Sequence, residues 1–210
     1  SADEKTDEAT YAARLNICHT YDDLRIDKHH MMVISPDEGA LNRNIYYSSA
    51  MGVDMGMFYK RRDYTRVVNG RNPIVAHEYL GDSVEGKDVF VADDIIASGD
   101  SILDLAYNLK KRKAKRVFAG ATFAFFTSGL EAFDKAYADG VIDHVFATNL
   151  TYTPQAVLDR PWFSQADMSK YMAFVIATLN HDQSLSYLLN PWNRIEKLLT
   201  KYRAEHPHND

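Results

Sequence analysis

The chain has 210 residues, 46% of them hydrophobic, and a formal net charge of -5. A chain of this length buries an adequate core without disulfides, and its single cysteine, Cys18, cannot form an internal bridge. The acidic balance argues against a nucleic-acid-binding protein, and no apolar run approaches the ~20 residues that span a bilayer. We therefore expect a cytoplasmic protein that binds neither nucleic acid nor membrane.

The chain opens with Ser1 and Ala2 rather than methionine, and its first residues are acidic and poor in apolar groups. We expect residues 1–24 to form an N-terminal extension or helix, residues 25–205 to form one domain, and residues 206–210 to be a frayed tail. The absence of an initiator methionine also predicts that a longer parent chain continues upstream.

Five short apolar runs predict the strands of a sheet. Runs without polar alternation are typical of parallel strands that are covered on both faces. The runs are Met31–Ser35, Met55–Tyr59, Val89–Ala92, Val117–Phe126 and Val145–Ala147. Between them lies a helical stripe with spacing i, i+3, i+4, i+7, formed by Ile102, Leu105, Ala106 and Leu109. This alternation predicts an α/β fold with an open, mostly parallel sheet of about five strands.

Two regions fit this alternation less simply. From Arg61 to Asp82 no period dominates, which is typical of a lid or a disordered segment, although "NPIVAHEYL" could pair as a short strand. The last third carries two helical stripes, and Pro191 precedes the second. The stripes are Met168, Met172, Val175 and Leu179, then Ile195, Leu198, Leu199 and Tyr202. We expect both helices to pack back onto the sheet as a C-terminal helical cap.

The stretch "VFVADDIIASGDS", residues 89 to 101, carries the strongest functional signal. Asp93 and Asp94 follow an apolar strand, and in an open parallel sheet the carboxyl ends of strands face the ligand crevice. Ser98 and Gly99 precede a helix start, where free amide groups and the helix dipole attract phosphate. The carboxylates would lie about one sugar away from that phosphate and could accept hydroxyl hydrogens or reach Mg²⁺. The alternative is that Asp94 merely ends a strand and Ser98 merely caps a helix.

Several segments resemble, in the same order, the C-terminal half of the ribose-phosphate pyrophosphokinases, which have the type I phosphoribosyltransferase fold. They are "VISPDEGALNR", "YKRRD", "ADDIIASGDS", "RKAKRVFAGATFAFFTSGLEAF" and "NHDQSLSYLL", spread from about Met31 to Leu199. The Walker and dinucleotide-binding motifs are absent from the sequence.

The resemblance implies an enzyme that uses Mg²⁺ to transfer diphosphate from ATP to ribose 5-phosphate. It implies that Lys60 and Arg62 are catalytic and that Asp37 binds metal. The ribose 5-phosphate site would comprise Asp93, Asp94, Ala97, Ser98, Gly99, Asp100 and Ser101. It also implies that ATP is held mostly by an N-terminal half absent from this chain, and that the protein is a homo-oligomer.

Two positions depart from the family pattern. Position 97 is alanine where the synthetases carry aspartate, and position 100 is aspartate where they carry glycine. A carboxylate at position 100 would repel an incoming phosphate unless its side chain points away. The alternatives are therefore a phosphoribosyltransferase that consumes phosphoribosyl pyrophosphate, or a non-catalytic regulatory homologue that keeps the fold.

Overall fold

A single sheet organises the computed structural model, which describes residues 21, 23–62 and 74–205. In that part of the chain the sheet has seven strands. They are β1 (Met31–Ser35), β2 (Asp54–Arg62), β3 (Ile74–Leu80), β4 (Asp88–Ile96), β5 (Arg116–Ala124), β6 (His144–Thr148) and β7 (Phe163–Ala166). The helices are α1 (Leu41–Met51), α2 (Asp100–Lys111), α3 (Glu131–Ala138), α4 (Gln155–Leu158), α5 (Ser169–Asn180), α6 (Ser186–Leu189) and α7 (Trp192–Glu205).

The predicted mostly parallel α/β sheet is confirmed, but the expected number of strands was too low. All five predicted strands form, and β3 and β7 are additional. The strand β3 contains most of "NPIVAHEYL" and pairs antiparallel with β2, whereas the other neighbouring strands pair in parallel. Part of the segment expected to be irregular is therefore a regular edge strand, while residues 63–73 lie outside the described part of the chain.

The strand order places a crevice between β1 and β4. The order across the sheet is β3-β2-β1-β4-β5-β6-β7. The strands β2 and β3 are added on one side of β1, and the strands from β4 to β7 are added on its other side. In open α/β sheets, ligands bind outside the carboxyl ends of the strands at such a switch point. The residues that follow β1 and β4 are therefore brought to the same crevice.

The core divides into two layers because successive strand residues point to opposite faces. Met32 and Ile34 belong to the larger cluster, with the predicted apolar stripe of α2 and with Phe133 of α3. Met31 and Val33 belong to a smaller cluster on the other face. The helices α2 and α3 thus cover one face.

The C-terminal helices form where the two stripes predict them, but they do not both cover the sheet. Tyr202 of α7 donates a hydrogen bond to the carbonyl of Leu24 at 2.9 Å, and α7 contacts α1. In α5, two residues of the predicted stripe are exposed, Met172 by 36% and Leu179 by 57%. The expectation that α5 packs on the sheet is wrong for these side chains, because α5 is apolar around much of its circumference and its stripe did not identify one inward face. None of the described helices has the length and apolarity needed to cross a bilayer.

The amino end of β4 is tied to β5 by a buried ion pair. Asp88 and Arg116 are direct partners across the two strands, and both N–H···O contacts between them are 2.7 Å long. Arg116 also pairs with Asp23 and lies over the ring of Tyr21, 5.5 Å from its centroid. These contacts fasten the strand from which the candidate site extends.

Candidate active site

The residues predicted for metal and for sugar phosphate meet in one cleft at the switch point. Asp37 follows β1, and Asp93 and the turn of residues 97–101 lie at the carboxyl end of β4. All but Asp94 and Asp100 of the predicted ribose 5-phosphate residues line this cleft, together with Asp37, and its volume is about 140 Å³. Two sequence segments that are far apart in the chain therefore form one concave polar surface.

The turn at residues 97–101 presents free backbone amides. Gly99 precedes α2 with a φ of 96°, in the left-handed region that favours glycine, and it is packed so closely against Phe133 that a Cβ atom would collide with the ring. Within the described residues, the amides of Ala97, Ser98 and Gly99 donate to no backbone oxygen. The first amides of α2 also lack intrahelical partners, so this turn has the donors that an anion needs.

The Asp100 carboxylate lies beside the turn. Ser98 Oγ donates to Asp100 Oδ2 at 2.9 Å, and the amide of Asp100 points back to Ser98 Oγ at 3.4 Å. No side chain caps α2 at Gly99. The hydroxyl group of Ser98 therefore makes a local contact with the first amide of α2, as the capping alternative supposes, and also donates to the neighbouring carboxylate.

The acidic pair lies in the last part of β4, because the strand continues beyond the predicted Ala92. Asp93 lines the cleft and its side chain is 23% exposed, whereas the Asp94 side chain is 63% exposed. The amide of Asp94 donates to Asp93 Oδ1 at 2.8 Å. The two carboxylates are therefore neighbours in different environments.

These environments move the two pKa values in opposite directions. Burial, followed by the adjacent Asp94 side chain, raises the pKa of Asp93 to about 6. The interaction with the Asp93 side chain lowers the pKa of Asp94. Near neutral pH both groups can act as hydrogen-bond acceptors, which suits the hydroxyl groups of a sugar.

Asp37 combines a local structural contact with access to the cleft. Its Oδ1 accepts a hydrogen bond from the amide of Ala40 at 3.1 Å, just before α1, and its carbonyl accepts one from Ser35 Oγ at 2.8 Å. The second carboxylate oxygen remains as a hard donor of the type that Mg²⁺ prefers. The described residues contain no cluster of three or more potential metal-binding side chains, so a magnesium ion here would complete its coordination with water and substrate phosphate.

Arg43 is a site residue that the sequence reasoning missed. It lies in the first turn of α1, and its guanidinium group is 3.7 Å from Asp93 Oδ1 and 3.5 Å from Asp94 Oδ2. The only sequence signal was its position shortly after the Ser-Pro-Asp turn at the end of β1, and this position alone does not indicate a role for the side chain. Strand order was needed to show that β4 lies next to it.

Lys60 and Arg62 lie on the last residues of β2. The pairing of β2 with β1 ends at Ser35 and Met57, so Lys60 and Arg62 extend beyond it on the carboxyl side of the sheet. Their pairing with β3 contains an irregularity between Arg61 and Arg62. Their side chains lie outside what the structure describes, so their catalytic role stays a prediction.

A second cleft adjoins the first along the carboxyl ends of β4, β5 and β6. It has a volume of about 170 Å³ and shares Asp93 with the first cleft. Thr122 and Thr148 add polar groups to a lining that includes Tyr47 and Phe146. Asp93 thus lies between two concave surfaces.

Known proteins resemble this chain in sequence and in fold. A family model described as "Phosphoribosyl transferase domain" matches residues 10–150. The ribose-phosphate pyrophosphokinase of Vibrio cholerae serotype O1 is 34% identical over 160 residues, covering 76% of this chain and 48% of that protein. The enzyme of the same name from Mycoplasma pneumoniae is 27% identical over 163 residues, covering 77% of this chain and 47% of that protein. The chain thus spans about half the length of the curated relatives it matches.

Among solved structures, phosphoribosylpyrophosphate synthetase from Mycobacterium smegmatis has a similar fold. The TM-score is 0.59 at 22% sequence identity, and the match covers 81% of this chain and 51% of that chain. This likeness supports the same sheet architecture.

Proposed function

Because the chain belongs to the phosphoribosyl transferase domain family, we propose that it supplies the ribose 5-phosphate site of a ribose-phosphate diphosphokinase. The observation that carries the proposal is the meeting of Asp37, Asp93 and the amide-rich turn in one cleft. The 5-phosphate would be held by the turn, and the ribose hydroxyls would donate hydrogen bonds to Asp93 and Asp94. The resemblance in sequence to ribose-phosphate pyrophosphokinases supports the choice of substrate.

The proposed reaction is a diphosphoryl transfer. The 1-hydroxyl oxygen of ribose 5-phosphate attacks the β-phosphorus of ATP, and the bond from that phosphorus to the oxygen bridging the α-phosphate breaks. The hydroxyl proton is lost to the medium and AMP leaves. The turn and the acidic pair contribute by holding the sugar so that its 1-hydroxyl is oriented for attack.

Cations would stabilise the charge that spreads over the transferred group. Lys60 and Arg62 are assigned this role because they extend beyond β2 at the carboxyl side of the sheet. Asp37 would provide an oxygen ligand for a substrate-bound Mg²⁺, which when bound would neutralise phosphate charge. ATP would be held mainly by a second half such as the longer relatives possess, in a cytoplasmic homo-oligomer.

One observation favours a second candidate, a non-catalytic homologue that binds sugar phosphate. The hydrogen bond between Ser98 and Asp100 places a carboxylate next to the phosphate turn. A site weakened in this way would still recognise ligand and could serve regulation. Formation of AMP from ATP and ribose 5-phosphate separates the two candidates, and release of pyrophosphate with a panel of bases would instead identify a phosphoribosyltransferase.

Calorimetry with the 210-residue chain in magnesium buffer tests the binding role. We expect ribose 5-phosphate to bind and ATP alone to bind weakly. The variants Asp93→Asn and Asp94→Asn should each weaken ribose 5-phosphate by about tenfold, because a charged acceptor for a hydroxyl is lost. Asp104→Asn, an exposed aspartate on α2, is the matched control. Absent ribose 5-phosphate binding, or equal affinity in all three variants, would reject the proposal.

A further inference from the structure

We propose that Arg43 is a positioning residue that holds Asp93 and Asp94 side by side without using their capacity to accept hydrogen bonds from ligand. This inference rests on the proposed function of the acidic pair. The guanidinium group lies across both carboxylates, with one terminal nitrogen near each. Arg43 is therefore placed to act on the pair as a unit.

The distances separate this ion pair from an ordinary salt bridge. At 3.7 Å and 3.5 Å, the two N···O separations exceed the usual 2.7–3.2 Å of an N–H···O hydrogen bond. Coulomb attraction falls only slowly over this difference, whereas hydrogen bonding is largely lost. Arg43 thus supplies positive charge while the carboxylate lone pairs stay available.

The backbone around Arg43 is fixed to the strand that carries the acidic pair. Asn44, which is fully buried, donates from its side chain to the carbonyl oxygens of Ala92 and Ala40, both at 2.9 Å. Ala92 directly precedes Asp93. The position of Arg43 relative to the carboxylates is therefore set by a direct tie between α1 and β4, so little ordering remains to occur when ligand binds.

Asp93 lies in a negatively charged environment that an arginine can offset. Its side chain is only 23% exposed, and both Asp94 and Asp37 add negative charge nearby. Two adjacent carboxylates repel each other, and a cation that lies across both offsets this repulsion. Arg43 is the arginine that the structure places in that position.

One nitrogen of Arg43 has spare hydrogen-bonding capacity. Its first terminal nitrogen, Nη1, is buried and has no hydrogen-bond partner among the described residues. Buried donors are rarely left in this state in proteins. The lack of a partner for Nη1 agrees with the 3.7 Å separation from Asp93, at which Arg43 contributes charge without a hydrogen bond.

The test compares Arg43→Gln, Arg43→Lys and the wild-type chain by calorimetry with two probes, ribose 5-phosphate and inorganic phosphate. Arg43→Gln should weaken ribose 5-phosphate by about tenfold, because the two carboxylates that accept the hydroxyls lose the cation that holds them together. It should leave inorganic phosphate within about twofold, because the turn binds phosphate with its own amides and more distant charge is screened. Arg43→Lys keeps the positive charge but lacks the two terminal nitrogens of the guanidinium group, so it should restore part of the lost affinity for ribose 5-phosphate.

The control Arg194→Gln removes an exposed arginine of α7 and should leave both affinities unchanged. Circular dichroism and the thermal midpoint establish that each variant is folded, and if Arg43→Gln does not fold, the comparison of Arg43→Lys with wild type decides. The inference is overturned if Arg43→Gln binds ribose 5-phosphate normally, if both probes weaken equally, or if lysine restores nothing. A wild-type chain that binds phosphate but not ribose 5-phosphate would instead reject the proposed function and the inference with it.

Discussion

An aspartate is paired with an arginine at each end of strand β4, but the two pairs differ in burial and in the distance between the charged groups. At the amino end, Asp88 is 3% exposed and contacts Arg116 twice at 2.7 Å. At the carboxyl end, Asp93 is 23% exposed and Arg43 stays 3.7 Å away. The first pair is closed, with its hydrogen-bonding capacity used inside the protein, and the second is open to a ligand.

This difference separates structural charge from functional charge. Arg116 is enclosed by Asp88, Asp23 and the rings of Tyr21 and Phe118, so an added ligand would have nothing to bind. A buried ion pair of this kind is costly to break, because removal of one partner leaves the other charged and unpaired. The amino end therefore holds β4 in place while the carboxyl end remains available for chemistry.

The largest effect on stability is expected when one partner of the buried ion pair between Asp88 and Arg116 is removed. Asp88→Ala should lower the free energy of unfolding by about 3–5 kcal/mol, because Arg116 would stay buried without its main partner. Urea denaturation measures this loss. The affinity of the remaining folded protein for ribose 5-phosphate should stay unchanged.

A double variant sharpens the same point. Replacing both partners, Asp88→Leu with Arg116→Met, removes the charges together and should recover most of the stability. If the single variant is as stable as wild type, the pair does not fasten β4, and the contrast between the two ends is wrong.

The next effect is a pH dependence of opposite sign at the two ends. The pKa of Asp93 is raised to about 6 by burial, so its contribution to stability is fully present below its ordinary value of 3.8 and is lost as pH rises through about 6. Hydrogen bonds from Lys115 and Arg116 lower the pKa of Asp23 to about 2, so its contribution is present above 3.8 and is lost as pH falls toward 2.

Urea denaturation between pH 2 and pH 7 should show both slopes as differences between wild type and the variants Asp93→Asn and Asp23→Asn. Over the same range, ribose 5-phosphate should bind more tightly as pH rises through about 6, because ionised Asp93 is the better acceptor. A binding curve that is flat through this region after correction for ligand ionisation would contradict the assignment of Asp93 to the sugar.

The smallest effect concerns Asp100. Asp100→Gly should tighten inorganic phosphate by about fivefold, because a negative charge beside the turn is removed. It should also lower stability by about 1 kcal/mol, because an acidic residue favours a helix start and glycine does not. Asp104→Gly, on the exposed side of the same helix, is the control that should lose stability without gaining affinity. Unchanged phosphate binding in Asp100→Gly would show that its carboxylate points away from the anion.

Much of the fold was predictable because buried parallel strands are apolar throughout their length. The five central strands were found for this reason, whereas β7 was missed. Its sequence, Phe163–Ala166, is only four residues long and half exposed, so it has neither an apolar run nor a clear alternation. The exposed face of α5 was also beyond sequence reasoning, since a helix that is apolar around much of its circumference predicts burial without identifying its partner.

The candidate site was predictable where its parts are adjacent in sequence. The run from Asp93 to Ser101 contains the acidic pair and the turn, and the cleft joins most of these residues. Arg43 could not be assigned in the same way, because its approach to Asp93 depends on β1 and β4 being neighbours in the sheet. The contact between Ser98 and Asp100 likewise depends on side-chain rotation, which the sequence does not specify.

The packing of Gly99 against Phe133 has a practical consequence for spectroscopy. Phe133 stacks on the indole ring of Trp162, which is fully buried, with their ring centroids 5.2 Å apart. The chain has two tryptophans, and the other, Trp192, is 39% exposed. A Trp192→Phe variant would leave a single fluorophore one aromatic ring away from the phosphate turn, so occupancy of that turn could be followed by emission without any added label.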